Sequence, residues 1–434
     1  MSSTTKSILS ATGVIVSVAA VVVGFRARQQ ADVGGVQTAD SGVSIDRMVA
    51  SRTNDINVPA GDYFYELTQK LRDQYVEPVT DENKLVTGAI RGMIASLQDP
   101  QSQYMDSKQF KAFANAREGK FEGIGADFDL VVGSKAVQAE ASGETTPSEA
   151  TPEEALATVN DIPRLQVVSV VPGGPADRAK VKIGDVVYSV DGHWVVNSEL
   201  IKRFKQAREK FLAKKMPLSE LNVLRQEIRA KVDKAILPLR AKDQLFMGRS
   251  GTVSVVWDRG ATQRTTKITK AESTLPGFSV HGSTIYLPLI PSSASSLKKA
   301  IVGKSSITID LRNNTLGDFG SMKQCLEVLV PKGQYGNFTT LRHDKPTPLS
   351  VYKGNPNPPA ITLITDKSTR GAAEIFALAL SSRGFAQLTG TATGGDRDNR
   401  AIFRMPDGSG YTIVTSIYKP TIGRPTAVAV GGAK

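Results

Sequence analysis

The chain has 434 residues, enough for two or three domains, and an ordinary hydrophobic share of 40%. Its formal charge of +12 suits an anionic membrane surface or an acidic protein. With 6% aromatic residues, no zinc-finger spacing, no aromatic-bearing RNA-binding signature and no phosphate-cradling loop, nucleic acid is not expected as a partner. The lone cysteine, Cys325, rules out an intrachain disulfide, and His193, His281 and His343 lack metal-ligand spacing, so neither a metal nor a cofactor is expected.

A short tail, 1–7, precedes an uncharged and mostly apolar segment at 8–25. As a helix this segment would span about 27 Å, close to the hydrocarbon thickness of a bilayer. Lys6 stands before it, and Arg26 and Arg28 stand where a signal peptide would need small residues. The segment is therefore read as an uncleaved transmembrane anchor, with the bilayer as its partner. Residues 26–56, rich in Gln, Gly, Ser and Asp, read as a linker. An N-terminal helical region is expected over 57–119. Phe64, Leu67, Leu71 and Tyr75 recur at helical spacing, a second apolar segment covers 85–94, and a turn follows at Asp99-Pro100-Gln101-Ser102-Gln103-Tyr104.

Residues 120–272 resemble a PDZ domain. The run Gly123-Ile124-Gly125-Ala126 is similar to the PDZ carboxylate-binding loop, whose backbone N–H groups capture a peptide C-terminus. Residues 167–170 and then 174–192 follow the strand–helix–turn pattern of that domain, except that Lys180 stands where glycine is usual. A lysine there requires a changed turn or a positive φ. Two insertions are expected: an acidic loop at 138–160, and a basic helical hairpin at 199–245 broken at Met216-Pro217-Leu218-Ser219. Over 199–245 thirteen basic side chains face six acidic ones, so much of the net charge sits here. Two readings stand for the hairpin. It is a solvated charged element, or it is an arm docking on another protein or an anionic lipid surface through Lys205, Arg208, Lys214, Lys215, Arg225 and Arg229.

From 273 to 434 strand and helix patterns alternate. Strands are expected at 283–289, 307–311 and 360–364, and helices at 293–302 and 320–330; the latter places Cys325 as a buried structural thiol. The stretch Asp366-Lys367-Ser368-Thr369-Arg370-Gly371-Ala372-Ala373-Glu374-Ile375 then leaves a strand and enters a helix. Gly371 and Glu374 have capping-box spacing, with Gly371 as N-cap and Glu374 as the third helical residue.

This stretch resembles the active-site segment of the carboxyl-terminal processing peptidases, also called tail-specific serine proteases. The resemblance covers roughly 57–425 outside the insertions and extends to the helical region, the PDZ domain and the core. It implies a serine nucleophile at Gly371. It implies a general-base lysine at Asp396, within Gly390-Thr391-Ala392-Thr393-Gly394-Gly395-Asp396, and a supporting glutamine at Arg400. It also implies an oxyanion-hole glycine near Leu316, in Asp310-Leu311-Arg312-Asn313-Asn314-Thr315-Leu316-Gly317. The family positions are thus present and the reactive groups are not. Loss of a protease nucleophile alone costs on the order of 10⁶ in kcat. Ser368, beside Lys367, is the one candidate for a rescued nucleophile.

The expected architecture is an α/β and α+β multidomain chain: a transmembrane helix, a helical region, a PDZ-like domain with a helical-hairpin insertion and an α/β protease-like core. The expected function is that of a membrane-anchored pseudoprotease. It would bind protein C-termini or a membrane-protein complex as scaffold or accessory subunit, with its bulk on the extracytoplasmic (periplasmic) side. The alternative is an active serine endopeptidase that processes protein C-termini with relocated catalytic residues.

Overall fold

The computed structural model describes residues 60–97, 99–131, 163–260 and 262–421. The expected tail, anchor, linker and acidic loop (1–7, 8–25, 26–56 and 138–160) lie outside the described residues. Among the described residues no helix is long and apolar enough to cross a membrane.

The chain divides into two compact units, Met1–Gln98 and Asp99–Lys434. In the first, α1 (Ala60–Gln74) and α2 (Glu82–Ser96) form as the apolar spacing predicts, and Asp81 caps α2 by accepting the Asn83 amide. The helical region expected over 57–119 therefore splits, because its last part belongs to the second unit.

The second unit opens with the Asp99–Tyr104 turn. The Asp99 carboxylate accepts the Gln101 amide at 3.0 Å and the Ser102 hydroxyl at 2.5 Å. There follow β1 (Tyr104–Met105), α3 (Ser107–Arg117) with a complete Asp106/Gln109 capping box, and β2 (Lys120–Phe121). The PDZ sheet comprises β3 (Ala126–Val131), β4 (Arg164–Val170), β5 (Val186–Val190), β6 (His193–Val195), β7 (Ala235–Ile236), β8 (Thr252–Arg259) and β9 (Thr262–Thr269). Its path runs β3-β4-β5-β6-β7, with β8 pairing β5 and β9, so β3 lies at an edge. Inward-facing Phe128, Leu165, Val167, Val187, Val253, Val255 and Trp257 form its core. The short helix α4 (Pro175–Arg178) ends in the turn that holds Lys180. That lysine adopts φ +58°, and its carbonyl accepts Arg259 and Arg264 guanidinium N–H groups at 3.1 and 3.0 Å. Two tertiary hydrogen bonds thus hold a left-handed residue that glycine would occupy without strain.

The insertion differs from its expected bounds. Helices α5 (Ser198–Leu212) and α6 (Leu218–Val232) form the hairpin, packed through Phe204 and Ala207 on one side and Leu221, Leu224 and Ile228 on the other. The remainder of 199–245 is not hairpin. β7 pairs with β6, and Pro238 at a helix start opens α7 (Pro238–Phe246), whose Ala241 and Leu245 are fully buried in the PDZ core. The domain keeps its own short helix beside β3, and the hairpin is added before it.

After β10 (Ser273–Thr274), which pairs with β2, the core sheet comprises β11 (Ser279–His281), β12 (Thr284–Tyr286), β13 (Ser306–Asp310), β16 (Ala360–Thr365) and β17 (Ala386–Gly390). Its order is β11-β12-β13-β16-β17, with the last four strands parallel. Helices α8 (Ser293–Ala300), α9 (Phe319–Leu329) and α10 (Ala372–Ser382) cover it. Every residue of α10 from Ala372 to Leu380 is buried, and Cys325 is fully buried on α9, with its thiol pushed up to about 12 by burial. A second sheet, β1-β19-β14-β15 with β18 on β19, was not anticipated. It is built from β14 (Gly333–Thr340), β15 (His343–Val351), β18 (Asp398–Arg404) and β19 (Gly410–Lys419).

Candidate functional site

The site forms where β16 leaves the core sheet and turns into α10, a strand-to-helix turn of the kind that presents the nucleophile in α/β-hydrolases. Two side chains secure the neighbouring β13 end. The Asn314 amide donates to the Leu287 and Leu311 carbonyls and its oxygen accepts the Leu289 amide. Ser368 and Thr369, both fully buried, tie the two strand ends together. The Ser368 hydroxyl donates to Asp366 and accepts the Asn313 amide at 2.7 Å, and Thr369 reaches the Leu311 carbonyl at 3.3 Å. Lys367 is exposed, and among the described residues Ser368 bonds to no lysine. Ser368 is a structural hydroxyl here, fully buried with its hydrogen bonds spent on Asp366 and Asn313.

Gly371 is the N-cap of α10, at φ +54° and ψ −126°. The predicted capping box does not form. The Glu374 carboxylate turns away from the helix start and accepts the Gly395 and Asp396 amides at 2.8 and 2.9 Å, while the Gly371 amide donates to the Asp396 carbonyl at 3.0 Å. The positive φ at Gly371 points its amide at the 390–400 loop, and that loop takes the place of the cap. Burial pushes Glu374 up from 4.5 to about 8, with the Asp396 carboxylate adding to it and the loop amide, Thr393 and Arg370 opposing.

The structure brings Gly371, Asp396 and Arg400 together. A Cβ on Gly371 would lie 3.9 Å from the Asp396 carboxylate and 3.8 Å from the Thr315 carbonyl, with nothing closer. Asp396 is buried and paired with the Arg400 guanidinium, and it also accepts the Asp398 amide at 3.2 Å. Burial opposes the charge on Arg400, but the Asp396, Asp129 and Asp398 carboxylates raise its pKa above the ordinary value. Burial also lifts Asp398 to about 6, with Asp396 adding and Arg400 opposing. Arg370 pairs with Asp129 and donates to the Gly394 carbonyl at 2.9 Å. Position 396 thus holds a carboxylate engaged by a guanidinium, not an amine. An oxyanion hole needs donors, whereas the group facing Gly371 from the 315 position is a carbonyl. Leu316 packs with Phe121 and Phe246 in a hydrophobic cluster.

These residues line a cleft of about 390 Å³, walled by the Gln101–Met105 segment, the β3 edge at Asp127–Asp129 and α7 at Leu239, Lys242, Asp243 and Phe246. The predicted peptide-binding loop does not open into it as a donor array. Gly123, Ile124, Gly125 and Ala126 are buried. The first three donate their amides to the carbonyls of Gly248 (2.7 Å), Leu245 (2.9 Å) and Glu122 (3.3 Å). Along β3 the Phe128 and Leu130 amides donate to Asp127 and Asp129, both at 2.8 Å. The end of α7 and two aspartates occupy the donors that a terminal carboxylate would need. No sequence signal gave the path of α7, which decides this.

Of the six predicted docking residues, Lys205, Arg208, Lys214, Lys215 and Arg229 are exposed. Arg225 is half-buried and turned to Asn222 at 3.1 Å, so it does not belong to the exposed set.

Three family matches agree with this layout: residues 54–109 with the activating protease CtpB N-terminal domain, 166–203 with the PDZ domain and 290–430 with peptidase family S41. The chain carries a peptidase S41 domain and a PDZ domain. Among curated relatives, the carboxy-terminal processing protease CtpB of Bacillus subtilis (strain 168) is 27% identical over 379 residues, covering 82% of this chain and 62% of that protein. A probable CtpA-like serine protease of Staphylococcus aureus (strain N315) is 23% identical, covering 76% of this chain and 55% of its own length. The chain thus spans less than two thirds of these relatives. The solved photosystem II D1 C-terminal processing protease has the same fold, with 19% identity and a TM-score of 0.51 over 84% of this chain and 85% of that one.

Two outcomes follow from the geometry. Glu374 is neutral more readily when folded, so its contribution to stability is full below the usual carboxyl range and is lost as pH rises through about 8. The melting temperature should fall across that window, and Glu374→Gln, which keeps an acceptor and cannot ionise, should flatten the fall; an unchanged profile would contradict the assignment. In fluorescence anisotropy, a peptide with a free C-terminal carboxylate and its amide should bind equally, and tighter binding of the free acid would show the loop amides to be available.

Proposed function

We propose that this chain is a catalytically inactive member of the S41 fold that uses its cleft to bind protein segments, as scaffold or accessory subunit of a membrane complex. The observation that carries this reading is the Asp396 carboxylate. It is held by Arg400 and stands 3.9 Å from where a side chain at Gly371 would begin, in the place of a base and its nucleophile. The segment at 8–25 would anchor the chain in the bilayer with the bulk on the extracytoplasmic side.

The fold does not depend on the missing groups. Glycine suits φ +54° better than serine, which would be strained there by roughly 1–2 kcal/mol. Space is not the obstacle, since the nearest atoms to a Cβ are 3.8 and 3.9 Å away. A glycine at 371 is therefore the less strained choice for this turn.

The test is incubation of the full chain with unstructured peptides, analysed by mass spectrometry. No cleavage is expected, either from the chain or from Gly371→Ser, because a serine there meets an ion pair instead of a base. The same variant should lose about 1–2 kcal/mol in urea unfolding. Cleavage that disappears in Ser368→Ala would overturn the proposal in favour of a relocated active site.

A further inference from the structure

The α5–α6 hairpin serves neither the PDZ core nor the cleft, and its tip has a composition that a solvated element does not need. Between Lys205 and Arg225 six basic side chains face two acidic ones. Lys205, Arg208, Lys210, Lys214 and Lys215 are all exposed, and among the described residues none of them makes an ion pair. Further from the tip the charges are paired: Glu227 meets Arg203 at 3.5 Å and Lys231 at 2.9 Å. Unpaired positive charge is concentrated at the tip.

Large apolar side chains stand among those charges. Leu212 at the end of α5 is 63% exposed, Leu218 at the start of α6 is 40% exposed, and Val223 one turn further on is 66% exposed. The residue after the α5 terminus that takes the left-handed conformation is Lys214, at φ +58°, where glycine is the unstrained choice. The turn keeps a lysine against its backbone preference.

We infer that this hairpin tip docks on an anionic lipid surface, with Leu212, Leu218 and Val223 entering the headgroup boundary and the surrounding lysines and Arg208 contacting lipid phosphates. Apolar side chains ringed by long basic ones match a bilayer interface, which offers hydrocarbon and negative charge at one depth. An acidic protein would complement the charges and leave the three apolar side chains in water. A nucleic acid would call for stacking aromatics, and the only aromatic residue at the tip, Phe211, is half-buried.

The inference stands apart from the anchor at 8–25 and from the inactivity of the cleft, and its test reads the tip locally. Cys325 is buried, so an environment-sensitive fluorophore can be placed selectively on Val223→Cys in the full chain. A control fluorophore goes on Leu341→Cys at the exposed turn between β14 and β15. With vesicles of phosphatidylcholine mixed with phosphatidylglycerol, the Val223 probe should shift to the blue and be quenched several-fold less by acrylamide. With phosphatidylcholine alone, or at high salt, it should not, and the Leu341 probe should respond to neither. An anchor at 8–25 would recover the chain with both vesicle types and leave this contrast intact. Charge reversal of Arg208, Lys214 and Lys215 should abolish the shift. Lys214→Gly, which removes a charge and relieves the turn, should weaken it without threatening the fold. An identical Val223 signal with and without phosphatidylglycerol would overturn the inference. So would a probe that responds only to polyglutamate or to DNA, which would assign the tip to an acidic protein or a nucleic acid.

Discussion

The hydrogen bonds from the Gly395 and Asp396 amides to Glu374, returned by the Gly371 amide to the Asp396 carbonyl, hold the candidate site together. They join the first turn of α10 to the 390–400 loop and thereby set residue 371 opposite residue 396. None of these bonds uses the side chain of either position. Backbone amides and a buried carboxyl do the positioning, and Asn314, Ser368 and Thr369 brace the adjoining strand ends from below. A frame built this way does not depend on which side chains stand at 371 and 396.

The charged side chains that face position 371 are paired. Asp396 and Arg400 neutralise one another, Arg370 answers Asp129, and Leu316 fills an apolar cluster shared with Phe121 and Phe246. Removing one partner of such a buried pair is expensive, about 3–5 kcal/mol, so Asp396 and Arg400 depend on each other. A lysine at 396 would place an amine beside the Arg400 guanidinium.

The parts of the fold most legible in the sequence were those governed by local periodicity and turn chemistry. Three of the four parallel core strands, α8, α9 and α10, and the PDZ strands β4, β5 and β8 follow from short-range patterns, and of the two alternatives at Lys180 the positive φ is the one realised. The peptidase S41 and PDZ resemblances drawn from the 366–375 and 174–192 runs match the families found. Long-range choices were not legible. Gly371 and Glu374 have capping-box spacing, yet the carboxylate prefers two amides more than twenty residues away. The four residues 123–126 have the look of a carboxylate cradle, yet α7 closes on them, and the helical pattern through 199–245 concealed the break at Pro238 that frees α7 to do so. The sheet built on β14, β15, β18 and β19 was missed because its strands are only partly apolar and pair across distant segments.

The central claim is that no side chain in the cleft remains an activated nucleophile. Its most direct test is labelling of the folded full chain with a fluorophosphonate, followed by peptide mass mapping. The account predicts no adduct on Ser368, on Thr369 or on any hydroxyl lining the cleft, because the one serine beside Gly371 is buried and donates to Asp366. A stoichiometric adduct on any of them, prevented by prior denaturation, would contradict it.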